Sequence, residues 1–203
     1  MRLYRFPFST NVERVALALA HKGIEVESVL VDPSDRTAVR EVSGQDLVPV
    51  LEDGGHVVAD STRILEYLEA RYPRPPLYPT DEARRAEVVV FIDWFNRVWK
   101  VPPNAIVAEL RKPGPDRARI AVLGREMTDS LDVFEAMLAG RDYLMGDFSA
   151  ADCAAFPFLK YGVLHDPDDT ELFHQVLVEH LPVGENHARV RGWIERMDER
   201  PRA

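Results

Sequence analysis

Four prolines within seven positions, Pro73, Pro75, Pro76 and Pro79, divide the sequence into two segments of different character. Proline has no backbone N–H and cannot continue a helix, so residues 73–80 read as a stiff linker. Ahead of it, residues 2–6 (RLYRF) are strand-like. Residues 11–22 place Val12, Val15, Ala16 and Leu19 at helical spacing, and Gly23 follows as a stop. Residues 25–31 alternate into a strand and 34–43 form a short helix. Residues 48–51 and 56–58 are strands around Asp53-Gly54-Gly55, a hairpin signal, and 61–72 form a helix. Beyond the linker no segment reads as a strand. Residues 81–100, 116–139, 150–164, 169–180 and 186–199 read as helices, with breaks at Pro102-Pro103 and Lys112-Pro113-Gly114-Pro115. The expectation is an α/β domain over 1–75, ordered βαβαββα, followed by an all-α domain over 80–203.

Charge narrows the functions such a chain can serve. Lys plus Arg is 25 and Asp plus Glu is 34, so the net charge is 25 − 34 = −9. An acidic chain without a dense basic stretch repels phosphate backbones, so no nucleic-acid partner is expected. No run of about 18 apolar residues occurs, and no membrane span is expected. The start, MRLYRFPF, lacks a basic region followed by an apolar one, which points to the cytoplasm. The single cysteine, Cys153, excludes an intrachain disulfide framework and a CxxC pair. Glu171-x-x-His174 and Glu179-His180 lack a convergent third ligand, so no metal site is expected. Neither a Walker A loop nor GxGxxG is present, and no tightly bound cofactor is expected.

The βαβαββα order with proline opening its third strand, Leu47-Val48-Pro49-Val50, resembles the thioredoxin-like pattern. VPVLEDGGHVVADSTRILEYLEARYP is similar to the second half of the N-terminal domain of glutathione transferases. LYRFPFSTNVERVALAL resembles the family's first strand and helix, and DFSAADCAAFPFL its C-terminal helix start. The likeness spans nearly the whole chain. It implies a cis Val48-Pro49 bond, which would turn the Val48 backbone outward to pair with an extended peptide. It also implies glutathione as co-substrate, a small apolar electrophile or disulfide as second substrate, and a two-fold dimer. The alternatives on the same fold are a thiol-dependent isomerase, dehalogenase or disulfide reductase, or a non-catalytic binding module.

Candidate site residues follow. Thr10-Asn11-Val12-Glu13 fits a capping box with Thr10 as N-cap, leaving the Ser9 hydroxyl outside the helix. In serine-type members the catalytic serine lies five residues before the Arg of an Arg-Val pair; counting back from Arg14-Val15 gives Ser9. A free thiol is only a few per cent thiolate at pH 7, so a donor to sulfur at a helix N-terminus favours the reactive form. Ser9 takes that role in the resemblance, with Asn11 as co-donor and Thr10 beside them. Asp60-Ser61 opens the third helix, where capping geometry also suits a carboxylate and Asp60 answers an ammonium. Val48 and Pro49 take the peptide backbone.

The chain departs from the family before Val48-Pro49. Ser43-Gly44-Gln45-Asp46-Leu47 stands in place of Asn-Pro-x-Gly-Lys, which leaves Gln45, Arg36 or Arg40 to replace the lysine. Trp94, Phe95, Trp99 and Tyr161 are the candidates for an electrophile pocket. Ser149-Ala150-Ala151-Asp152 is a second capping box, and Cys153 behind it reads as a buried, inert thiol.

Overall fold

The computed structural model describes residues 1–203. The chain divides into two compact units, Met1–Glu82 with Arg200–Ala203, and Ala83–Glu199. The sequence reading placed 200–203 with the helical domain; in the structure they belong to the first unit.

The first unit runs β1 (Arg2–Arg5), α1 (Thr10–His21), β2 (Glu27–Leu30), α2 (Thr37–Ser43), β3 (Val50–Asp53), β4 (His56–Ala59) and α3 (Ser61–Arg71). The sheet order is β2-β1-β3-β4. β1 pairs parallel with β2, while β1–β3 and β3–β4 are antiparallel. The register sets Tyr4 opposite Val50 and Val50 opposite Ala59. The end of β1, the start of β3 and the end of β4 therefore meet at one end of the sheet. α1 and α3 pack on each other, and Val15, Leu19, Ile64, Leu65 and Leu68 on the helices and Leu3, Val50 and Leu51 on the strands are all fully buried. Burial of this apolar surface is the main favourable term in folding the unit.

Two polar knots fix its loops. The Lys22 ammonium donates to Glu69 (2.8 Å) and to the backbone oxygens of Tyr72 (2.7 Å) and Pro75 (2.9 Å), which satisfies all three donors at the linker entrance. Tyr72 and Tyr67 donate to Asp53 at 2.8 and 3.0 Å, and these bonds hold its carboxyl below the usual range. They pin the β3–β4 turn to α3.

The second unit is helical throughout: α4 (Glu82–Trp94, its first residue assigned to the first unit), α5 (Val101–Leu110), α6 (Arg117–Met137), α7 (Ala150–Leu159), α8 (Leu172–His180) and α9 (Ala188–Asp198). A π-turn over Phe95–Trp99 separates α4 from α5. α5 corrects the expected break at Pro102-Pro103. Both prolines fall in the helix's first turn, where the missing N–H would be unpaired anyway. α7 is buried at every position, as the centre of a helical unit must be. The capping box forms as read: Ser149 Oγ accepts from the Ala151 N–H, and Asp152 accepts from the Ser149 N–H (2.9 Å). Asp152 also accepts from the Leu144 N–H (3.0 Å) and Trp193 Nε1 (2.9 Å). Cys153 is buried beside it.

Candidate active site

Ser9, not Thr10, caps α1. Its backbone is extended, its Oγ accepts weakly from the Val12 N–H at 3.4 Å, and its carbonyl takes the Glu13 N–H at 3.0 Å. This corrects the expected cap by one residue. Thr10 is the first helical residue and is nearly buried, and the Glu13 carboxylate takes Arg202. A bond of 3.4 Å is long, so the Ser9 hydroxyl keeps its capacity to donate elsewhere. Phe8 precedes it at φ 61° with its ring exposed, a backbone state that bulky residues rarely adopt. No sequence signal marked this. Asn11 lies in the first turn of α1, half-buried.

At the start of β3 the Val48–Pro49 peptide bond is cis, as expected. The backbone N–H and C=O of Val48 make no hydrogen bond within the chain. They offer the pair that an extended peptide would use.

Asp60 caps α3, accepting from the N–H groups of Thr62 (2.9 Å) and Arg63 (3.2 Å) at a positive φ of 77°. Ser61 is nearly buried, and Arg14 Nη1 lies 3.5 Å from its Oγ. Arg14 is 1% exposed and was missed as a site residue. The available signal was a charged residue beside the apolar positions Val12 and Val15.

The register explains why these residues meet. Ser9 follows β1, Pro49 precedes β3 and Asp60 follows β4, all at one end of the sheet. The N-termini of α1 and α3 start at that same end. Two positive helix ends favour an anion there.

The three groups offered in place of the missing lysine are committed to the loop itself. Gln45 donates to Ser43 Oγ and the Leu47 carbonyl and accepts from the Leu47 N–H at 2.6 Å. Arg36 donates to the backbone oxygens of Asp46 and Pro33 and covers the Phe6 ring, and Arg40 pairs with Asp46. Leu47 itself is exposed.

Within the second unit, Trp94 and Trp99 line a cavity of about 350 Å³ with Arg97, Val98, Val101 and Pro102. Trp99 Nε1 donates to Ser130 Oγ at 2.9 Å, which fixes that wall. Phe95 corrects the pocket reading: it is fully buried, stacked on Trp99 at 4.4 Å and edge-on to Phe134 and Phe158. Tyr161 is also internal, stacked on His174 and donating to Asp169. No group of three or more His, Cys, Asp or Glu side chains is arranged to hold a metal ion.

Sheet order, cis-proline and paired helix starts define a thioredoxin-like unit followed by a helical one. Family models described as glutathione S-transferase, N-terminal domain and C-terminal domain, match residues 3–76 and 105–201. The chain belongs to the glutathione S-transferase family. It is 34% identical to a maleylpyruvate isomerase of a Ralstonia species over 77% of this chain and 80% of that protein. It is 39% identical to a maleylacetoacetate isomerase of Pseudomonas aeruginosa, over 72% of this chain and 74% of that protein. Among solved structures, a glutathione S-transferase from Rhodospirillum rubrum aligns over 98% of this chain and 88% of its own, with TM-score 0.76 and 27% identity.

Proposed function

We propose that the protein binds glutathione in extended form at this end of the sheet and presents its thiolate to a small apolar electrophile. The carrying observation is the convergence of Ser9, the unpaired Val48 backbone and Asp60-Ser61 at one sheet end. In this reading the Ser9 hydroxyl, with Asn11, donates to the sulfur while α1's N-terminus favours its negative charge. Val48 pairs with the tripeptide backbone, and Asp60-Ser61 takes the γ-glutamyl ammonium and carboxylate. The rate gain comes from position and from a larger thiolate fraction.

Two relatives named as isomerases favour a specific variant of this reaction. A maleyl group is a cis-alkene between carbonyls. The thiolate adds to one alkene carbon, the former double bond rotates as a single bond, and expulsion of the thiolate restores the alkene as trans. Glutathione is regenerated. Turnover with sub-stoichiometric glutathione marks the isomerase, and one glutathione consumed per product marks the transferase. We further propose a homodimer, supported by the exposed Val89 and Val90 on α4 and Val133 on α6, with sedimentation as its check, and a cytoplasmic location, with cell fractionation as its check.

Calorimetric titration with reduced glutathione, wild type beside Ser61→Ala, tests the central reading. Sub-millimolar to low-millimolar binding, weakened in the variant, supports it. No heat at ~10 mM ligand, where a millimolar site of about 4 kcal/mol is mostly filled, overturns it.

A further inference from the structure

Residues 200–203 lie along α1 in the first unit. The Ala203 N–H donates to the Ala16 carbonyl at 3.2 Å, and Arg5 Nη1, at the end of β1, donates to the Ala203 oxygen at 2.8 Å. Arg202 donates through Nε and Nη2 to Glu13 Oε1 at 3.3 and 3.1 Å, and Arg200 donates to His21 Nδ1 at 3.1 Å. The segment therefore touches the first, second and last turns of α1 and the strand beside it. Arg202 and Glu13 are mostly shielded from solvent, with side chains 25% and 16% exposed. Arg202 Nη1 also donates to the Arg200 carbonyl at 2.6 Å, which sets the guanidinium toward Glu13.

Glu13 is the acidic residue in α1's first turn, four positions after Ser9. The Glu13 N–H donates to the Ser9 carbonyl at 3.0 Å, which sets the two residues one helical turn apart, about 6 Å along the axis. A carboxylate so placed opposes a thiolate held by Ser9. Of the other charged groups on these elements, Arg5 on β1 holds the Ala203 oxygen, Arg14 on α1 reaches Ser61 Oγ, and Arg200 on the segment meets His21.

From this geometry we infer that residues 200–203 form a strap that positions α1 for the thiol site, and that Arg202 does so in part by masking the charge of Glu13. The inference rests on the reading of Ser9 as the thiolate's partner. Arg202 is a positioning residue, since it acts through Glu13.

The full chain is compared with Arg202→Ala and with Arg202→Ala/Glu13→Gln. Hydrogen exchange of the α1 amides over residues 12–17 reports the strap without any ligand. The ultraviolet thiolate band of bound glutathione at pH 7 reports the charge effect. In Arg202→Ala, exchange over 12–17 is expected to rise about 10-fold and the thiolate fraction to fall about three-fold. The double variant is expected to regain the thiolate while its exchange stays fast, a split that a purely structural role does not give. Unchanged exchange in Arg202→Ala overturns the strap, and a thiolate loss that Glu13→Gln does not restore overturns the masking. If the wild type shows no thiolate band at saturating glutathione, the glutathione reading fails, and exchange alone decides the strap.

Discussion

The Lys22 ammonium sits 2.8 Å from the Glu69 carboxylate with its own side chain wholly out of solvent. Glu69 turns the same oxygen to the Leu77 N–H at 2.9 Å, so one ion pair joins α1, α3 and the linker. Removing one partner leaves the other charge buried. Lys22→Met is expected to cost about 3–5 kcal/mol in denaturant unfolding. Lys22→Met/Glu69→Leu should cost clearly less than the sum of the single changes, because no charge is then stranded.

Asp152 is fully buried, and burial pushes its carboxyl up to about 6 against the four bonds that favour the charged form. Those partners are all donors: two backbone N–H groups, the Ser149 hydroxyl and the Trp193 indole. Asp152→Asn would turn an NH₂ toward one of them, and a loss of about 2–4 kcal/mol is expected in chemical unfolding.

The same carboxyl gives a pH signature whose sign is opposite to that of a salt-bridged aspartate. Its folded value lies above the unfolded one of about 3.9. Between about pH 4 and pH 6 the folded chain holds the proton and the unfolded chain does not. Its contribution to stability is therefore greatest below pH 4, falls by about 3 kcal/mol as pH rises to 6, and is flat above. Unfolding free energies of wild type minus Asp152→Asn across pH 4–7 should trace that decline; a flat difference would refute it.

Ser9 and Asp60 separate stability from activity differently. Ser9→Ala loses a long capping bond, so a cost of about 0.5–1 kcal/mol is expected, with kcat/KM down roughly 100-fold. Asp60→Asn keeps a good cap and tolerates the positive φ, yet loses the charge. Its melting temperature should stay near wild type while the glutathione Kd weakens about 10-fold, or about 1.4 kcal/mol. Calorimetry and thermal melts on the two variants provide the check.

Gly124 in α6 faces the His180 ring. A Cβ there would come within 2.5 Å of His180 Nδ1. Thr128 Oγ1, one turn further along α6, donates to the His180 carbonyl at 3.2 Å, so α6 and the end of α8 are tied together at this point. Gly124→Ala gains helix propensity but overpacks this contact, and a net loss of about 1–3 kcal/mol is expected in urea unfolding. Gly124→Ala/His180→Ala should recover most of it.

The first unit was legible because its punctuation is local: Gly23, the Asp53-Gly54-Gly55 turn and the linker prolines each mark an element boundary. Pro102-Pro103 misled, since the same residues that break a helix interior are welcome in a first turn. The capping residue of α1 was misplaced by one because Ser9 and Thr10 both suit the role, and only the backbone decides. Phe95 read as pocket lining because helical spacing gives a face but not what covers it; the π-turn and Phe134 cover it. Lys22–Glu69 and Glu13–Arg202 lie 47 and 189 positions apart, and no local pattern announces such pairs.

Ser9 and Asp60 each close a helix with an atom that the proposed reaction also uses. Selection on folding and selection on turnover therefore act on the same oxygens. A lineage that abandoned its substrate would still keep both side chains for stability alone. Their retention in a descendant would then record ancestry, not chemistry, and only a charge-specific change such as Asp60→Asn tells the two histories apart.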